Sequence, residues 1–126
     1  MRTRVEEKLD LFGVDRSLDW SIPALLSLEM RKRAALARAL VLEPEFLLLD
    51  QPTDGLEREI AQGLSRIIRE YRRRTGASLL EVGSEYPHRG DYVDRIGLLE
   101  GGHIVAEGTA VEMQSYMENA VKKISK

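Results

Sequence analysis

The sequence predicts an α/β fold built on a largely parallel sheet, and three observations carry that expectation. Short apolar runs alternate with longer stretches whose apolar residues recur at helical spacing, the pattern of strands joined through helices. The run from Phe46 to Leu49 is continuously apolar and ends on Asp50, as a buried parallel strand does when its C-terminal end carries a functional group. Gly101-Gly102 separates two further strand-like runs and marks a hairpin that closes the sheet.

The elements follow in order. Glu6 to Phe12 reads as the end of a short helix stopped by Gly13, and Val14 to Leu26 as a looser stretch. From Ser27 to Leu42 the positions Met30, Ala34, Ala37 and Val41 recur at helical spacing, with Arg31, Lys32, Arg33 and Arg38 mostly off that stripe. This helix stops before Pro44, and the Phe46 strand comes next. Leu56, Ile60, Leu64, Ile67, Ile68 and Tyr71 form a second stripe, which ends in Arg72, Arg73 and Arg74 with Gly76 as its cap. Ser78 to Val82 and Ile96 to Leu99 are short strands, and Ile104 to Glu107 is a third after the glycine turn. A helix over Val111 to Ile124 closes the chain, with Met113, Met117 and Val121 spaced to face a core.

Composition narrows the function classes. A chain of 126 residues holds one domain with a modest core, and 43% hydrophobic with 32% charged residues is ordinary for a soluble α/β protein. The formal net charge of −2 argues against a nucleic-acid partner, so Arg31-Lys32-Arg33 and Arg72-Arg73-Arg74 read as solvated helix faces. The absence of cysteine excludes disulfides, zinc knuckles and thiol catalysis. No apolar run approaches the roughly 20 residues that cross a bilayer, and Met1 to Asp10 is charged rather than a signal peptide. The expectation is a cytoplasmic protein with no direct membrane insertion, reaching a membrane only through a partner.

The stretch from Leu26 to Leu56 contains Leu26-Ser27-Leu28-Glu29 at the head of a helix and Phe46-Leu47-Leu48-Leu49-Asp50-Gln51-Pro52-Thr53 at the end of a strand. It resembles the signature helix and Walker B strand of the ATP-binding-cassette (ABC) family. Val93-Asp94-Arg95-Ile96 and the run from Glu100 to Thr109 are similar to the strand and turn that close such domains. The resemblance covers nearly the whole chain and implies the C-terminal portion of a P-loop NTPase-like, parallel-sheet layered fold. Residues 1–42 would end the helical subdomain and form the signature helix, 43–108 would run from Walker B to the closing strands, and 109–126 would be the last helix.

The resemblance also implies roles. Asp50 stands where the family holds Mg2+, usually through its waters. The family's next residue is a glutamate that polarises the attacking water, and here it is Gln51. An amide orients water without accepting its proton, and losing a general base costs about 10²- to 10⁴-fold in rate. The family's Leu-Ser-Gly-Gly loop reaches the terminal phosphate of ATP bound on the opposite subunit. Ser27 matches its serine, while Leu28 and Glu29 replace the glycines and set a carboxylate against the phosphate. Ser27 reads equally as the N-cap of the helix. The switch histidine aligns with Ser84, counted back from Val93-Asp94-Arg95, and His88 would serve only if the loop shifted. Glu57 stands where the loop linking two subunits ends in aspartate.

One part of the family pattern is absent from the sequence. No G-x-x-x-x-G-K-[ST] segment occurs, so the loop that cradles the phosphates is missing, and the resemblance implies that the family's adenine-stacking segment and glutamine loop would lie upstream of Met1. The resemblance puts the phosphate-loop strand between the Ser78 and Ile96 strands, so it implies a sheet without its middle strand. The expected function is an ABC transporter ATP-binding subunit that couples Mg-ATP to transport and is hydrolysis-deficient alone. Its partners would be a second ABC ATPase subunit or the missing N-terminal half, together with a membrane-spanning subunit. Two alternatives stay open: a non-catalytic module that pairs with an intact ABC ATPase, and a truncated product with no function of its own.

Overall fold

A computed structural model describes residues 2–84 and 93–124, with side chains described up to residue 119. His88 and the side chain of Val121 lie outside these residues. The chain forms α1 (Arg2–Leu11), 3-10 turns at Arg16–Leu18 and Pro23–Leu25, α2 (Leu28–Leu40), β1 (Phe46–Asp50), α3 (Arg58–Thr75), β2 (Ser78–Val82), β3 (Ile96–Glu100), β4 (His103–Gly108) and α4 (Ala110–Ile124). It divides into two compact units, Met1–Glu85 and Tyr86–Lys126.

Local chemistry explains the helix limits in the first unit. α1 ends where Gly13 turns left-handed at φ 65°, a conformation that costs glycine little. α2 starts at Ser27, whose hydroxyl accepts the Met30 N–H at 3.2 Å. α3 ends at Gly76, also left-handed, whose N–H reaches the Arg72 carbonyl at 2.8 Å.

The core of this unit centres on Phe12, Leu40, Leu64 and Ile68, each at most 1% exposed. The buried face of α2 is Leu36, Ala37 and Leu40 rather than the stripe expected from Met30, Ala34 and Val41, which are only half-buried. The two leucines at i and i+4 offer more apolar area than the alanine-containing row, and the helix turns them inward. The basic cluster on α2 also departs from a solvated face. Arg33 is mostly buried and donates to Glu29 Oε1 at 2.7 Å and to the Phe12 carbonyl at 2.8 Å, tying α2 to the end of α1.

β1 and β2 pair in parallel, with Leu48 opposite Leu80 and Asp50 opposite Val82. Leu47 and Leu49 are buried, but Phe46 is 59%, Leu48 66%, Leu80 55% and Val82 51% exposed. Partners in register project to the same side, so the open residues share one face of this two-stranded sheet. β1 is therefore covered on one face only, although its unbroken apolar run reads as a strand buried on both.

In the second unit β3 and β4 form an antiparallel hairpin through Gly101 and Gly102, which take φ 54° and 81°. α4 packs on β4, with Met113 3% exposed and Met117 half-buried. Among the described residues the strands thus make two two-stranded sheets, β1-β2 in the first unit and β3-β4 in the second.

One ion pair fixes the α2–β1 turn. Lys8 is 6% exposed and its ammonium reaches Glu43 Oε1 at 3.2 Å, where Glu43 turns left-handed at φ 51°. The hydrogen bond and charge of Lys8 hold the Glu43 carboxyl below its ordinary 4.5. A carboxyl lowered on folding stabilises the protein above its unfolded-state value and loses that contribution as pH falls through the folded one. Stability measured by urea unfolding is expected to decline as pH drops below 4.5, and Glu43→Gln to decline less steeply. Parallel curves for the two proteins would show that this pair contributes nothing.

Candidate functional site

The C-terminal ends of β1 and β2 and the N-terminus of α2 gather most of the residues singled out from the sequence. Asp50 is the last residue of β1 and is exposed. Gln51 follows in a left-handed conformation at φ 48°, unfavourable for a residue with a Cβ. Two bonds hold it there: its N–H donates to the Val82 carbonyl at 2.7 Å, and its carbonyl accepts from the Lys32 ammonium. The backbone is fixed while the amide side chain is left exposed.

A groove of about 470 Å³ lies between α2 and β1, lined by Leu28, Arg31 and Lys32 on one side and Leu48, Asp50 and Gln51 on the other. The groove therefore carries cations on its α2 side and a carboxylate on its β1 side, among apolar residues.

Ser27 caps α2, as its structural reading expects, and because its oxygen accepts the Met30 N–H its own proton remains available to donate. Leu28 packs towards the loop after β1, where a Cβ on Gly55 would lie 3.0 Å from Leu28 Cδ2. Gly55 takes φ 80°, so both its backbone and that close approach call for glycine. The Glu29 carboxylate is paired with Arg33, which offsets the charge expected to repel a phosphate. Glu57 occupies the N-cap position of α3 without a side-chain cap hydrogen bond.

Ser84, just past β2, donates its hydroxyl proton to Asp54 Oδ2 at 2.7 Å and its N–H to the same oxygen at 3.1 Å. The loops after β1 and β2 are thereby joined.

Among the described residues no group of three or more His, Cys, Asp or Glu could hold a metal ion. Asp50 alone still suits Mg2+, which binds through one or two carboxylates and keeps waters and phosphate oxygens as its other ligands. No helix among the described residues is long and apolar enough to cross a membrane.

The chain is 37% identical over 110 residues to the sulfate/thiosulfate import ATP-binding protein CysA of Mesorhizobium japonicum, covering 87% of this chain and 32% of that protein. It is 36% identical over 118 residues to a probable sulfate/thiosulfate import ATP-binding protein CysA of Chlorella vulgaris, covering 94% of this chain and 50% of that one. Its homologues are ABC transporter ATP-binding subunits. A dimeric bacterial ABC transporter cassette superposes with a TM-score of 0.79 at 25% identity, covering 86% of this chain and 47% of that chain. The cbiO1 protein of Clostridium perfringens, part of the ABC transporter complex cbiONQ, superposes at 0.73 with 26% identity, over 96% and 48% respectively. No family model matches the chain.

This ABC homologue spans between about a third and a half of the length of the curated relatives it matches. Two residues of its site were not singled out from the sequence. Lys32 reads as part of a solvated cluster, yet it is half-buried and holds the Gln51 carbonyl. Asp54 sits in a Pro-Thr-Asp-Gly turn, where an aspartate is commonplace, and only the fold shows that it meets Ser84.

Proposed function

We propose that this chain is the part of an ABC transporter ATP-binding subunit that carries the magnesium aspartate and the signature helix, and that it acts on Mg-ATP when a phosphate-loop segment completes the site. The observation that carries the reading is the end of β1, where Asp50 and a backbone-clamped Gln51 share a groove with the head of α2. Homology to ATP-binding subunits supports the same assignment.

In this reading Asp50 holds Mg2+ through its waters, and Gln51 orients a water without accepting its proton. Ser27 donates its remaining proton to a phosphate oxygen at the helix N-terminus, where free N–H groups favour an anion. Turnover by the chain alone is negligible, because its sequence holds no phosphate cradle and carries Gln51 where the family has its general base. Its partners are a phosphate-loop half, a second ATP-binding subunit and a membrane-spanning subunit, at the cytoplasmic face of a membrane.

Calorimetry tests this directly. The 126-residue chain is expected to bind Mg-ATP no more tightly than millimolar, and to gain tighter binding when the phosphate-loop half of a relative such as CysA is added. Micromolar binding by the chain alone, or no gain on adding the half, would overturn the proposal.

A further inference from the structure

The Ser84 N–H and O–H converge on one oxygen of Asp54, at 3.1 and 2.7 Å, from a carboxylate thirty positions away in sequence. Two donors aimed at a single anionic oxygen form an anion fork, the arrangement by which backbone and hydroxyl groups grip a phosphate. A serine hydroxyl has only one proton to give, and here Asp54 accepts it.

We propose that Asp54 is a built-in competitor of phosphate: its carboxylate occupies the anion fork of Ser84 and keeps the switch position closed to the terminal phosphate of a nucleotide until it is displaced. The inference rests on the reading of Ser84 as the switch position. A phosphate oxygen arriving at the fork meets a like charge and finds both donors engaged. Binding there requires Asp54 to swing away and give up the two hydrogen bonds it accepts from Ser84. Leu28 packing towards Gly55, the residue after Asp54, ties the movement of this loop to the head of α2.

The test uses the full chain labelled for amide NMR and titrated with tripolyphosphate, the anionic part of the nucleotide. Wild-type protein is expected to bind weakly, and Asp54→Ala about tenfold more tightly, with the Ser84 amide shifting at saturation. Asp54→Asn keeps the turn and an acceptor oxygen while removing the charge, and is expected to lie between the two. Ser84→Ala added to Asp54→Ala is expected to abolish the gain. Equal affinity of Asp54→Ala and wild type, absence of binding by Asp54→Ala, or a gain that survives Ser84→Ala would each overturn the proposal. Mg-ATP binding by the chain with its added phosphate-loop half reads the proposed function separately, so either idea can fail alone.

Discussion

Phe12→Ala is expected to remove about 3 to 5 kcal/mol of stability from the Met1–Glu85 unit, most of what a marginal domain has. Phe12 is 0% exposed and lies where α1 meets α2, packed with Leu36, Leu40 and the leucines of β1 in one cluster. Truncation removes the ring's transfer energy and leaves a cavity that the two helices cannot close without moving. A domain typically has about 5 to 15 kcal/mol in total, and one lacking cover on a sheet face belongs near the lower end. The Arg33 bond to the Phe12 carbonyl is a backbone contact and survives the change, so the loss measures packing alone. Urea unfolding followed by circular dichroism should show the transition displaced or abolished. A loss below about 1 kcal/mol would show that this residue is not at the centre of the core.

Association is the second large effect. Phe46, Leu48, Leu80 and Val82 are each more than half exposed on one face of the β1-β2 sheet. A contiguous apolar face of this kind marks a contact surface, and strands with unpaired edges offer a template for further pairing. The chain is therefore expected to increase in mean mass with concentration when followed by light scattering. Leu48→Lys with Leu80→Lys puts charges directly opposite one another on that face and should return it to a monomer. A concentration-independent monomer for the unmodified chain would contradict this account of the open face.

Much of the fold is legible in local pattern. Gly13, Ser27 and Gly76 mark helix ends by their own conformational chemistry, and the Ser78–Val82 strand has the limits its sequence implies. Asp50 and Gln51 are found at a strand end because an apolar run followed by polar residues can be read without knowing its neighbours. Contacts between distant residues are another matter. Lys32 to Gln51 spans 19 positions and Ser84 to Asp54 spans 30, and no periodicity records which charged residue meets which carbonyl or hydroxyl. The open face of β1 shows a third case. Phe46 and Leu48 are apolar as though covered, so the sequence reads as a strand buried on both sides, while the described residues cover only Leu47 and Leu49. On α2 the expected stripe holds at Ala37, while Leu36 and Leu40, which supply more apolar area, complete the buried face in place of Met30, Ala34 and Val41.

On the proposed function, a phosphate-loop half adds a strand that pairs with the open edge of β2 and with that of β3. Hydrogen exchange on the amides of Leu79 to Val82 and Ile96 to Leu99, with and without the phosphate-loop half of a relative, tests it most directly. These amides are expected to become markedly slower to exchange in both strands once the half is added, together with a fall in self-association. Strong protection of both strands in the chain alone, unchanged by the added half and by protein concentration, would contradict it.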